Sequence, residues 1–151
     1  MTKVLLVYAS MSGNTEAIAD LLEKSLIEYG VEVKKLEAFD VDLSLFEEYE
    51  SILLGAYTWG DGDLPDEMLD IYEEMEDLDF SSKQFAVFGS GDTSYDQFCG
   101  AVDLLQEKLI ERGGEIICEA LKIEFNPEGE DVEKCLQFGK NVAAKITEKI
   151  L

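Results

Sequence analysis

The 151-residue sequence predicts a three-layer α/β fold: a five-stranded parallel sheet in the order 2-1-3-4-5 with helices on both faces. Three observations carry that reading. Strand-like and helix-like segments alternate strictly and are joined by short turns, which calls for right-handed crossovers between parallel strands. Three strand segments are almost continuously apolar, as strands covered on both faces must be, whereas two are mixed and belong at the edges. Unusual polar, glycine-bearing stretches follow the apolar segments, at the carboxyl ends where such a sheet receives its ligands.

The first strand is "KVLLVYA", Lys3 to Ala9, and should be central. A helix follows with Ile18, Leu21, Leu22 and Tyr29 on its apolar side, stopped by Gly30. "VEVKKLE", Val31 to Glu37, alternates and carries Lys34 and Lys35, so it reads as an outer strand. The stretch from Val41 to Glu48 has room for a helix of a turn or two. "SILLGAY", Ser51 to Tyr57, is a second central strand, and its helix, entered through Pro65, presents Met68, Leu69, Tyr72 and Met75. "QFAVFGS", Gln84 to Ser90, is the third, followed by a helix carrying Leu104, Leu105 and Leu109 and closed by Gly113 and Gly114. "EIICEALKIE", Glu115 to Glu124, is longer and mixed and is expected to form one further outer strand. The last helix presents Val132, Cys135, Leu136, Val142, Ala143 and Ile146. There is no internal repeat, low-complexity tract or linker, so residues 1–151 are expected to form a single domain.

Composition excludes several functions. With 12 basic and 34 acidic residues the formal charge is -22, which disfavours nucleic acid and anionic membranes and favours basic proteins as partners. Cys99, Cys118 and Cys135 form no C-x-x-C pair, so neither a disulfide framework nor a metal site is expected. Histidine is absent, which removes Ser-His and Cys-His nucleophilic catalysis. The first apolar run is too short for a signal-peptide core or a membrane span, and a cytoplasmic location is expected.

The switch point of a 2-1-3-4-5 sheet lies between the first and third strands, so the loops after Ala9, Ala56 and Gly89 should meet there. In the first, "SMSGNT", Ser10 and Ser12 offer hydroxyls, Gly13 allows close approach, and Asn14 and Thr15 open a helix whose first amides carry partial positive charge. That is an anion cradle rather than a simple cap, for which one hydroxyl would suffice. It lacks the Lys of a Walker loop, the G-x-G-x-x-G of a dinucleotide loop and the Cys and Arg of a phosphatase loop. The second loop, "YTWGDGDLPDE", sets Thr58 and the only tryptophan, Trp59, before Gly60, Asp61 and Gly62. The third, "GSGDTSYDQFCG", offers Gly91, Asp92 and Tyr95. A phosphate cradle and two aromatics at one sheet edge describe a pocket for a flat, phosphorylated, hydrogen-bonding molecule.

Together "SMSGNT", "TWGDG" and "GSGDTSYDQFCGAVD" resemble the phosphate, tryptophan and tyrosine loops of the flavodoxins, with agreeing spacing along the whole chain. The fifth strand lacks a long insertion, so the chain is similar to the short-chain class. The resemblance implies a flavodoxin-like fold that binds FMN. Ser10, Ser12, Asn14 and Thr15, with the backbone of Met11 and Gly13, would hold its phosphate, and Thr58 would bond the phosphate or ribityl side. Trp59 and Tyr95 would sandwich the isoalloxazine. Asp92 and amides around Gly91 and Cys99 would meet the pyrimidine edge, and the matched loop adds Ser90, Gln97 and Phe98. The Gly60–Asp61 peptide would rotate to accept a hydrogen bond from the ring on one-electron reduction.

The implied function is a low-potential one-electron carrier, without substrate turnover of its own, working between semiquinone and hydroquinone. As a monomer it would take electrons from a basic partner such as a flavodoxin reductase and pass them to acceptor oxidoreductases or monooxygenases. Two flavoprotein alternatives stand beside it: an FMN or quinone reductase, which needs a substrate site next to the ring, and an activator of ribonucleotide reductase. A signalling or pure binding module, the alternative from another class, would bind no FMN.

Overall fold

The structure, a computed structural model, describes residues 2–148; residue 1 and residues 149–151, the ends of the expected domain, lie outside them. Its framework is a parallel sheet of β1 (Lys3–Ala9), β2 (Glu32–Glu37), β3 (Ser51–Tyr57), β4 (Gln84–Gly91), β5 (Glu115–Ile116) and β6 (Leu121–Glu124). The order is β2-β1-β3-β4-β5, with β6 also pairing β4. Helices α1 (Asn14–Glu28), α2 (Asp66–Glu74), α3 (Gly100–Glu111) and α4 (Glu130–Glu148) link or follow the strands.

Alternate side chains of the central strands enter two separate cores, which is why these strands read as continuous apolar runs. Leu5, Val7 and Ala9 of β1 face the core under α2 and α3, with Ile52, Leu54, Phe85 and Val87. Val4, Leu6 and Tyr8 face the core under α1 and α4, with Leu53, Ala86 and Phe88. Helix α1 ends as its sequence requires: Gly30 adopts φ +84° and the Val31 N–H returns to the Leu26 carbonyl at 3.0 Å. The expected short helix is a 3-10 turn over Leu43–Glu48, capped by Asp42 accepting from the Ser44 N–H.

Three expectations need correction. Strand Glu115–Glu124 is broken: Ile116 pairs Phe85 and Leu121 pairs Phe88, so four residues of the edge span the length of two on β4. An edge strand has a ladder on one side only, so leaving it costs few hydrogen bonds. Tyr29 lies beyond the last residue of α1 and is exposed, and Leu69 of α2 is also exposed. Both fit the helical period, yet neither reaches a core.

Candidate functional site

The first, second and third loops converge at the carboxyl ends of β1, β3 and β4, around an open cleft of about 230 Å³. Met11, Ser12 and Asn14 line it from the first loop, and Thr58 and Gly60 from the second. From β4 and its loop come Ser90, Gly91, Asp92, Tyr95, Gln97 and Cys99. Ser10, Gly13, Thr15, Trp59, Asp61 and Phe98 do not line it and occupy supporting or peripheral positions.

Gly13 precedes α1 with φ +92°, and its N–H donates to Ser10 Oγ at 3.1 Å, which curls the loop over the helix end. Ser12 is exposed and Asn14 half-buried. Thr15 is fully buried, and its hydroxyl meets that of Ser90 at 2.7 Å, seventy-five residues away. This bond ties the start of α1 to the end of β4. Each of the two hydroxyls has one proton, so if one donates across the pair, the other is free to donate elsewhere.

The second loop is a closed hairpin. Trp59 and Asp63 exchange backbone hydrogen bonds of 2.8 and 2.9 Å around Gly60, Asp61 and Gly62, and both glycines have positive φ, +55° and +102°. Trp59 itself is 56% exposed at the rim. Asp61 accepts from the Gln97 N–H at 2.9 Å, joining the hairpin to the third loop. Thr58 Oγ1 accepts from the Ala101 N–H at 3.2 Å, so its own proton remains available toward the cleft.

In the third loop Asp92 accepts from the Ser94 N–H at 2.9 Å. That backbone bond, aided by the Ser94 hydroxyl, holds its carboxyl below the usual carboxylate range, so Asp92 presents an acceptor at neutral pH. Thr93 donates twice, through N–H and Oγ1, to Glu124 at the end of β6. Cys99 is buried with φ +53° at the entrance to α3, and burial pushes its thiol up to about 12. It is therefore a neutral packing group, not a nucleophile.

Two lining residues escaped the sequence reading. Tyr57, the last residue of β3, donates its hydroxyl to Glu67 of α2 at 2.7 Å, and burial and that carboxylate push its phenol up. Period-two alternation could have placed it beside the cleft. Phe125 follows β6 with φ +56°, and nothing in its residue type signals such a backbone.

Here the chain's relatives bear on the site. The family model described as Flavodoxin matches residues 6–139. "Probable flavodoxin 2" of Bacillus subtilis (strain 168) is 59% identical over 146 residues, covering 96% of this chain and 97% of that protein. The crystal structure of oxidised flavodoxin 2 from Bacillus cereus superimposes with a TM-score of 0.92 at 50% identity, covering 95% of this chain and 99% of that one. Oxidised flavodoxin 1 from Bacillus cereus gives 0.91 at 48% identity, covering 95% and 98%. The chain belongs to the flavodoxin family, whose members are electron-transfer proteins that bind FMN.

The residues present fit that cofactor. The hydroxyl, amide and helix-end donors of the first loop suit a phosphate, the free proton of Thr58 suits its ester or ribityl oxygens, and Tyr95 adds an aromatic ring to the lining. No helix among the described residues is long and apolar enough to cross a membrane.

Proposed function

We propose that the chain is a single-domain, monomeric, cytoplasmic one-electron carrier of low potential that turns over no substrate of its own. The observation that supports this most is a cleft lined together by the polar groups of the first loop, Ser12 and Asn14, and by Asp92 and Tyr95 of the third. FMN, when bound, supplies reduction in two one-electron steps, and the carrier uses the lower of them.

The chain's own groups then have separate tasks. Ser10, Ser12, Asn14 and Thr15, with the amide of Met11 and that of Gly13 once it leaves Ser10 Oγ, would hold the phosphate, and Thr58 would orient the ribityl side. Trp59, at the exposed rim, and Tyr95 would cover the two faces of the ring. Ser90, Gly91, Asp92, Gln97, Phe98 and Cys99 would shape the pyrimidine end, and the Gly60–Asp61 peptide would turn so that the Gly60 carbonyl accepts a hydrogen bond from a ring N–H. Asp61, Asp63 and Asp92 oppose added negative charge. A carboxylate at ~10 Å and effective dielectric ~40 contributes roughly 0.8 kcal/mol. A few such groups lower the potential by on the order of 100 mV, since ~59 mV is tenfold for one electron.

The same carboxylates, on a chain of formal charge -22, would steer basic donor and acceptor redox proteins to the exposed ring edge. Absorption spectroscopy of the FMN-loaded protein during stepwise reduction tests the reading. A long-wavelength band rising and then falling, and partner reduction that slows with ionic strength, are expected. An apoprotein that takes up no FMN would refute it.

A further inference from the structure

We infer that Phe125 is a third aromatic wall of the FMN cleft, held in a strained backbone conformation so that its ring flanks the end where Gly91 and Asp92 stand. The inference rests on the FMN reading above. Phe125 has φ +56°, a region that L side chains, bulky ones above all, adopt at a cost. Such a conformation persists where the surroundings impose it. Here they do: Glu124 is in register with Gly91, and the Phe125 N–H donates to the Gly91 carbonyl at 3.0 Å. Glu124 in turn receives both Thr93 donors, so the residue preceding Phe125 is clamped to the third loop.

Core packing does not offset the cost. Phe125 belongs to neither apolar core and is 52% exposed, yet it lines the cleft beside Gly91 and Asp92. A glycine would make this turn without strain, so what the phenylalanine adds is its ring, at a position that lines the cleft. A flat apolar group there would shed water from the edge of a bound ring system and contact it as aromatic pairs do.

The test separates backbone from ring. Apoprotein stability is read from urea denaturation, and FMN affinity from quenching of flavin fluorescence. Phe125→Gly should raise the urea midpoint while weakening FMN roughly three- to tenfold. Phe125→Leu, which keeps the backbone cost but loses the ring, should weaken FMN without raising the midpoint, and Phe125→Tyr should retain affinity. Wild-type FMN affinity in Phe125→Gly or in Phe125→Leu overturns the inference. Failure of the unaltered protein to bind FMN overturns both this inference and the functional reading beneath it, and is thereby distinguishable.

Discussion

In the Ser10–Thr15 loop the Gly13 N–H bonds Ser10, while Ser12 and Asn14 make no side-chain bond among the described residues. Across the cleft, Asp61 bonds Gln97, Thr58 bonds Ala101, Asp92 bonds Ser94 and Glu124 bonds Thr93. The first side leaves the Ser12 and Asn14 side chains unbonded, while most polar groups named on the other are engaged in bracing the loops. The difference follows from what each side has to recognise. A phosphate is satisfied by many donors in a flexible arrangement, whereas a rigid ring needs walls at a set separation, and those walls must be braced by the protein.

The bracing should therefore be the easier side to break. A Cβ on Gly100, at the start of α3, would stand 2.5 Å from Gly62 Cα and 3.0 Å from its carbonyl oxygen. Backbone cannot yield as a side chain can, so Gly100→Ala should push the Trp59 hairpin off α3. The expected loss is about 1–3 kcal/mol in urea denaturation, with FMN weakened tenfold or more. Wild-type FMN affinity in this variant would show that the hairpin position does not set the ring site.

The Thr15–Ser90 bond links the two sides, and its two ends should respond differently. Either truncation, Thr15→Val or Ser90→Ala, leaves a buried hydroxyl without its partner and should cost about 1–3 kcal/mol in the apoprotein. In Ser90→Ala the surviving Thr15 hydroxyl can donate to the phosphate, so FMN should restore much of the loss. In Thr15→Val it should not. Equal recovery in the two variants, measured as FMN-dependent gain in urea midpoint, would contradict a phosphate role for Thr15.

Gly60 offers a milder perturbation of the braced side. No atom lies within 4 Å of a Cβ built there, so Gly60→Ala meets only the cost of φ +55°, about 1 kcal/mol. The fold should survive. Restricted rotation of the Gly60–Asp61 peptide should lower accumulation of one-electron-reduced flavin, a shift of about 40 mV for that energy. Accumulation equal to that of the unaltered protein would remove the peptide from the redox response.

These contrasts were legible in the sequence to different depths. Strands Lys3–Ala9 and Ser51–Tyr57 have the observed bounds because both are buried on each face, and the sheet order follows from them. Loop composition likewise marked the hydroxyl- and amide-bearing residues that stand at the start of α1. The break at residues 117–120 left no trace, because whether an edge strand stays on its ladder depends on a neighbour far along the chain. Trp59 at the rim, and Phe125 in the wall, are also set by partners from other loops. A residue type announces a turn when it is Gly or Asn, and is silent when it is Phe.

A last contrast uses one local motif in two settings. Asp42, Asp79 and Asp92 each accept from the N–H of a serine two residues on, at 2.9, 3.0 and 2.9 Å, and each is held below the usual carboxylate range by that bond first. A folded-state value below the unfolded one of about 3.9 means stability that is present above that pH and lost as pH falls through the folded value. Solvent exposure keeps each contribution small. The apoprotein's urea midpoint should thus decline below about pH 4, and Asp→Asn at any of the three positions should flatten that decline slightly, because the amide oxygen still accepts but no longer titrates. Only Asp92→Asn should also flatten the acid loss of FMN binding. If Asp42→Asn or Asp79→Asn changes the pH profile of FMN affinity as much as Asp92→Asn does, the carboxylate in the cleft acts through the fold and not through the ligand.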